Sequence, residues 1–395
     1  MMIDKPLLVG VMILLCISLI MDYSLSVYTV SLYQYGELHF FIRQFAAVIL
    51  GFGVMIAISK MDPDKYFKPL GFGIFLLFFI LMIVMQFLPS SLVSAVGGAK
   101  RWIHIGAISI SPVEFFKVGF VFFLSWSFAR KFKDKTDMSF LQELKAFAPY
   151  LVVFAIVVVL VAVLQKDLGQ VAVLGATLMV LFVLIGSSWR FFGILGAMGL
   201  VGIFALIKFA PHRMVRVKSW WISVQDTILS IMPFDSVQNL RVVSGVKEPW
   251  QISNSLNAIH NGGLFGQGLG NGQFKLGYLS EVHTDFILAG ITEELGFVGV
   301  AFVSLMLLFV VFRIFQIGAK VNNPMYYMFC IGIGSLIMFS FFLNAFGISG
   351  LIPIKGIAVP FLSYGGSHIL ASCIAIGMVL MISKKVPRDI YGNIL

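Results

Sequence analysis

Glu281, His283 and Asp285 place three ionisable side chains within five residues, where a long polar segment meets an apolar run. Carboxylates and imidazoles beside a bilayer are costly unless solvated or paired, so by default they mark a functional site. A carboxylate half-removed from water has a raised pKa and can take a proton as a general base. Asp285, at the edge of the apolar run 286–291, is the candidate for that work. The competing reading is a helix cap, in which Asp285 accepts a backbone N–H. Residue type alone favours the cap, and the density of neighbouring charge argues for the base.

Other segments could serve the same chemistry. Residues 97–103 join two glycines to Lys100, Arg101 and Trp102. Arginine grips phosphate in bidentate fashion and tryptophan anchors at headgroup level, so this loop holds an anion or simply sits at the interface. Glu114 and Lys117 stand three apart on one helical face, and Arg43 lies inside an apolar run. Facing lipid they would be very costly, so each is expected to face inward and find a partner. For Glu114 and Lys117 a buried structural pair is the favoured reading, with an anionic headgroup as the alternative for Lys117. Asp167, in the polar hairpin 165–169, is either a helix cap or a second acid in the same cavity. Residues 360–367 cannot be regular helix. Successive free N–H groups at Ser363, Gly365, Gly366 and Ser367 would form an anion nest before the last helix, with Ser367 also suited to N-capping it. The glycine-rich run 262–272 lacks a preceding strand and a following Lys-Ser/Thr, so it reads as a tight turn that positions Asp285 rather than a nucleotide loop.

The elements that position these groups follow from composition. The chain has 395 residues, 59% hydrophobic and 12% charged, with mean hydropathy +0.98. That excludes a soluble globular protein and implies one continuous membrane bundle, residues 1–395. Ten runs are long enough to span, near 7–27, 40–59, 70–88, 112–130, 147–165, 169–186, 190–210, 295–315, 325–347 and 367–383. With the N-terminus in the cytoplasm, Lys5, Lys60, Lys65, Lys68, Arg130, Lys131, Lys133, Lys135, Lys145, Arg190, Arg313, Lys320, Lys384, Lys385 and Arg388 fall inside. Only Lys100, Arg101, Lys166 and Lys355 fall on short outer loops. The asymmetry predicts an all-α polytopic protein of about ten spans with both termini cytoplasmic. The scattered basic residues behind the +10 charge fit this topology signal, not nucleic acid. The first apolar run has no small-residue cleavage site behind it and is expected to remain as the first span. Cys16, Cys330 and Cys373 lie far apart in apolar runs, which argues against a disulfide framework or metal site. Residues 211–283 form one large outer loop between the seventh and eighth spans, with Arg213, Arg216, Trp220 and Trp221. It is expected to be ordered as short amphipathic helices at the surface.

Six of these segments, in order along ten spans, resemble the SEDS family (shape, elongation, division, sporulation) over nearly the whole chain. They are residues 100–103, 111–114 with Lys117, 167–169, 266–271, 283–286 with 293–296, and 360–367. Residues 268–272, 275–276 and 354–356 look like the division branch more than the elongation branch. The resemblance implies a peptidoglycan glycosyltransferase that polymerises lipid II on the outer face of the bacterial cytoplasmic membrane, at the division septum. The family's essential aspartate falls on Asp285, with the role of general base toward the acceptor 4-hydroxyl. A lipid-diphosphate leaving group needs cations. Arg101, Lys117, Arg213 and Arg216 are the candidates, with His283 beside them, and a divalent ion such as Mg2+ or Mn2+ is possible in principle. Arg43, Glu114, Asp167 and Glu281 would support the site. Implied partners are a class B penicillin-binding protein, other divisome membrane proteins and membrane lipid. The rival readings are a lipid II flippase, an elongation-branch enzyme and a division scaffold. Three departures stand out: Ser280 and Lys166 replace prolines usual in the family, which should loosen those turns, and Gly277 replaces a common acidic residue. The stretch around 225–250 is longer than the family norm and is a possible partner contact.

Overall fold

A computed structural model describes residues 3–89, 91–93, 95–96, 98–106, 108–132, 140–231, 250–353 and 356–387. Lys133, Lys135, Lys355, Arg388 and most of the long stretch, 232–249, lie outside the described residues.

The described chain is helical apart from two small antiparallel hairpins. The helices are α1 Lys5–Leu25, α2 Val27–Leu32, α3 His39–Lys60, α4 Pro63–Val84, α5 Pro112–Lys131 and α6 Phe140–Val158, which continues into a π-helical turn Val159–Leu164. They continue with α7 Leu168–Leu184, α8 Trp189–Lys208, α9 Pro211–Ile231, α10 Trp250–Gly262, α11 Ile287–Ala319, α12 Pro324–Ile348 and α13 Gly366–Ser383. The hairpins pair β1 Ala95–Val96 with β2 Ala99–Lys100, and β3 Ile103–Ile105 with β4 Ile108–Ile110. Nine of the described helices are long and apolar enough to span, and α7 is a tenth, shorter apolar helix. The all-α polytopic class and the ten predicted segments are therefore those of the structure.

Three starts differ by seven or eight residues: α6 begins at Phe140 rather than 147, and the other two have local reasons. The span predicted from 70 begins at Pro63, because Asp62 accepts the Asp64 N–H at 3.0 Å as N-cap and Pro63 suits the first helical position. Hydropathy misses that polar first turn. The span predicted from 295 is preceded by helix from Ile287, and Gly296 breaks the two at φ 70°, ψ −173°. Only glycine takes that backbone readily.

At the centre, α13 packs on α3, α4 on α5, and α12 on α5, α7 and α11. Phe67 meets Phe122 and Phe329 edge-on at 5.4 and 5.0 Å. By contrast α8 stands at the edge, with Trp189, Leu200 and Phe209 exposed. The two ends of the chain meet at one end of the bundle. The Asp4 N–H donates to Ser383 Oγ at 3.1 Å, Arg313 pairs with Asp4 at 2.7 Å, and Lys385 pairs with Asp64. An even number of crossings requires this.

The long segment after α8 folds back onto the opposite end. Trp220 of α9 donates to the Gly350 carbonyl at 2.7 Å. Asn254 and Ser255 of α10 donate to Tyr278 O at 2.6 Å and Ile348 O at 2.9 Å. Among the described residues of this segment, 211–231 form one helix of 21 residues, 250–262 a second of 13, and 263–283 are turns.

Candidate active site

The loop that delivers Asp285 is anchored by two carboxylates of the 293–296 motif, Glu293 and Glu294, to which the sequence assigned no role. Glu293 Oε1 accepts N–H groups from Gln273 at 2.7 Å and Phe274 at 3.1 Å, and the Asn261 amide at 3.0 Å. Glu294 is fully buried and pairs with Lys275 at 2.6 Å. Lys275 also donates to Gly270 O and Ser24 O, and Ser24 Oγ donates to Glu294. The glycine-rich run is thus pinned from below, as a turn that positions the following residues. The signal in the sequence was a pair of glutamates inside an apolar run, which membrane depth tolerates only when paired.

Asp285 is half-buried and does not cap α11. The cap position is Phe286, with no side-chain bond. Burial raises the Asp285 pKa to about 6, the negative charges of Asp167 and Glu281 push the same way, and Arg101 and Arg216 oppose them. Asp167 does both things considered for it. It caps α7 by accepting the Gln170 N–H at 3.2 Å, and it is a second acid beside Asp285, its own pKa raised chiefly by burial. Arg101 is held by the Gln165 carbonyl at 2.8 Å and the Lys166 carbonyl at 3.1 Å. Arg216, on α9, is exposed. The structure therefore brings two carboxylates and two guanidiniums to one rim. Of the four described non-glycine residues with positive φ, Lys166, Glu281 and Phe361 lie in the loops of this rim. Such backbone is retained where surrounding structure over-determines it, as at functional sites.

Other predicted residues are placed differently. Lys117 is 3% exposed and committed to Glu114 Oε2 at 2.9 Å and Gln170 Oε1 at 2.8 Å. His368 Nδ1 meets the same Glu114 oxygen at 2.9 Å, and Gln170 donates to the other at 2.9 Å. This is the structural pair, enlarged, so the Lys117 ammonium is not presented to a diphosphate. Arg213 is buried too, donating to Leu206 O at 2.8 Å and to Ala162 O. It ties α9 to α8 and the π-helical turn, and burial lowers its pKa. His283 is buried between Phe40 at 4.9 Å and Tyr364 at 5.4 Å, and burial lowers its pKa to about 4. It is a neutral packing group, not a cation for phosphate. Arg43 is exposed in the second turn of α3 and bonded to the Tyr364 hydroxyl, so it does not face the interior. Glu281 is exposed and acts on Asp285 through its charge.

The anion nest is not formed over 362–365. The Leu362 and Ser363 N–H groups donate to Val359 O, Tyr364 N–H to His283 O, and Gly365 N–H to Gln44 Oε1. Ser363 is buried, donating to Thr284 O at 2.7 Å and accepting the Val359 N–H. Ser367 does not cap α13. Its hydroxyl accepts the Ser111 N–H at 2.9 Å and donates to Ser109 O, while Gly366 opens the helix. The segment is a strap that fastens the Asp285 loop.

Two departures from the family pattern take on structural meaning. At Lys166 φ is +54°, a value a proline ring excludes, so the turn is of another kind rather than merely looser. At Gly277 φ is +99° and a Cβ would lie 2.6 Å from the Tyr28 ring, so an acidic side chain there strains the backbone and requires that ring to move.

A family described as cell cycle proteins, FtsW, RodA and SpoVE, matches residues 5–387. A probable peptidoglycan glycosyltransferase FtsW of Helicobacter pylori is 48% identical over 386 residues, 96% of this chain and 98% of that protein. The stage V sporulation protein E of Bacillus subtilis is 31% identical over 96% of this chain and 97% of its own length. Two solved structures share the fold. Rod shape determining protein RodA of Thermus thermophilus has TM-score 0.65 at 20% identity, covering 98% of both chains. A chain from a peptidoglycan synthase complex that coordinates polymerization and crosslinking has TM-score 0.70 at 18% identity, covering 97% of this chain and 98% of its own.

Proposed function

The chain belongs to the FtsW, RodA and SpoVE family of cell cycle proteins, and we propose that it polymerises lipid II into septal glycan strands as a peptidoglycan glycosyltransferase, with Asp285 as general base. It is a multi-pass protein, acting in the bacterial cytoplasmic membrane with both termini in the cytoplasm and the Asp285 rim outside.

In this reading the acceptor sugar's 4-hydroxyl oxygen attacks the donor anomeric carbon. The bond from that carbon to the diphosphate oxygen breaks, undecaprenyl diphosphate leaves, and the hydroxyl proton passes to the Asp285 carboxylate. The single observation that carries the assignment is the carboxyl itself: half-buried, ionising at about 6, and flanked by both signs of charge. A base is most effective when its pKa lies near the working pH. Arg101 and Arg216 are the cations suited to the leaving diphosphate, since fixed positive charge in a partly dry site stabilises charge developing there. Asp167 keeps the Asp285 pKa high and orders the turn that holds Arg101.

A divalent cation, Mg2+ or Mn2+, fits only in a shared manner. Among the described residues no three His, Cys, Asp or Glu side chains converge. Mg2+ commonly takes one or two carboxylates and completes its shell with phosphate oxygens and water. Asp167 is the carboxylate suited to it, and the ion would supply charge neutralisation at the diphosphate. A class B penicillin-binding protein is the proposed partner, a reading supported by the likeness to a chain of a polymerising and crosslinking complex. Other divisome membrane proteins would complete the assembly.

The test is polymerisation of labelled lipid II by the purified chain, alone and with its cognate class B penicillin-binding protein. Glycan chains that persist under moenomycin and vanish with Asp285→Ala are expected. Polymer from the Asp285→Ala protein, or lipid translocation across vesicles without polymer, refutes the reading.

A further inference from the structure

Three consecutive carbonyls, those of His283, Thr284 and Asp285, each receive a donor from outside their loop. Tyr364 N–H donates to the first at 2.9 Å and the Ser363 hydroxyl to the second at 2.7 Å. The third, on Asp285 itself, accepts from the Asn344 side-chain amide of α12 at 2.6 Å. The same Asn344 nitrogen donates to the Ile357 carbonyl at 2.7 Å. Two carbonyl oxygens brought face to face repel, and an NH2 group with one proton for each is the group that removes the repulsion. The Asn344 Oδ1 atom is buried without a partner. Buried polar atoms are normally satisfied, so the orientation of this amide is set by its two donors alone.

Ile357 follows Gly356, and a Cβ on Gly356 would lie 2.5 Å from Asp285 Oδ2. No real contact is that short, so the Gly356 backbone forms a wall against the carboxylate. Spacing across this wall depends on whatever joins Ile357 to the Asp285 main chain, and that is Asn344.

We infer that Asn344 is a positioning residue for glycosyl transfer, holding the Asp285 main chain and the Gly356–Ile357 backbone at the separation that aims the carboxylate at the acceptor hydroxyl. This rests on the reading of Asp285 as the base. Asn344 touches no reacting atom and acts only through Asp285. The charged groups that face Asp285 are Glu281 from its own loop, Asp167 from the start of α7, Arg101 from the hairpin segment and Arg216 from α9. Among the described residues none is on α12 or at Gly356–Ile357, so Asn344→Ala changes the alignment and hydration of the carboxylate while leaving these charged neighbours in place.

The test uses the full chain with its transpeptidase partner and labelled lipid II, with rates taken from pH 4.5 to 8. The variants are Asn344→Asp, Asn344→Ala, Gly356→Ala and Asp285→Asn. Asn344→Asp keeps the shape but sets a carboxylate against two carbonyls. We expect Asn344→Asp and Asn344→Ala to lose about tenfold to a hundredfold in kcat, with KM for lipid II nearly unchanged, as misalignment of a reacting group does. The residual activity of Asn344→Ala should show an acid limb lying below that of the native chain, because a released carboxylate hydrates and ionises more easily, whereas the extra negative charge of Asn344→Asp opposes that shift. Gly356→Ala crowds the same carboxylate with the staple intact and should also lower kcat. A loss of rate in the Asn344 variants that matches a loss of folded protein, with the native acid limb per folded molecule, overturns the inference. So does a native rate in Gly356→Ala. Full activity in Asp285→Asn would instead refute the base assignment, a separate failure.

Discussion

The rate of polymerisation should fall about tenfold between pH 7 and pH 5. With Asp285 ionising at about 6, the base form is about 90% of the enzyme at pH 7 and about 10% at pH 5, and kcat/KM follows that fraction. A carboxyl at the ordinary value of 3.8 would lose less than about a tenth of its base form over the same interval. The difference comes from burial first, then from Asp167 and Glu281. His283, neutral down to about 4, does not titrate in this window. Asp167 is also raised, so the limb belongs to the coupled pair, and Asp167→Asn, by deleting a negative charge, should move it to lower pH. Initial rates with labelled lipid II, in detergent or nanodiscs at constant ionic strength, read this directly. A rate that stays flat from pH 7 to pH 5 refutes the claim that a half-dry carboxylate is the base.

The raised pKa also has a cost in stability. Asp285 binds its proton more tightly folded than unfolded, so stability falls as pH rises from about 4 to about 6. Asp285→Asn should therefore be the more stable protein at pH 7.5, by up to about 3 kcal/mol, and lose that advantage at pH 4. Thermal unfolding at the two pH values checks it, and equal midpoints at pH 7.5 would count against it. Lys275→Met leaves the buried Glu294 carboxylate without its cation and should cost about 3–5 kcal/mol, whereas adding Glu294→Leu should recover most of that, because a buried pair is worth little more than its apolar replacement. Unfolding midpoints of the single and double variants decide it, and a single variant as stable as the native chain would show that the loop anchor is not needed.

The amino-acid sequence by itself determined the spans and the most informative acid. A bilayer accepts only long apolar helices, so runs such as 367–383 announce α13 whatever surrounds them. Crowding of Glu281, His283 and Asp285 at the end of a polar loop is likewise a local fact. Their roles were not local. Lys117 and Arg213 read as phosphate cations by residue type, but Glu114 takes one and main-chain carbonyls take the other. His368 meets Glu114 across 254 residues, and Lys275 meets Ser24 across 251. Asn344, which no motif flagged, reaches Asp285 only because α12 packs beside α11. Apolar length is a property of one segment, set by transfer from water into hydrocarbon. Which cation stays available for substrate depends on which polar atoms meet when segments pack, and only the tertiary structure decides that.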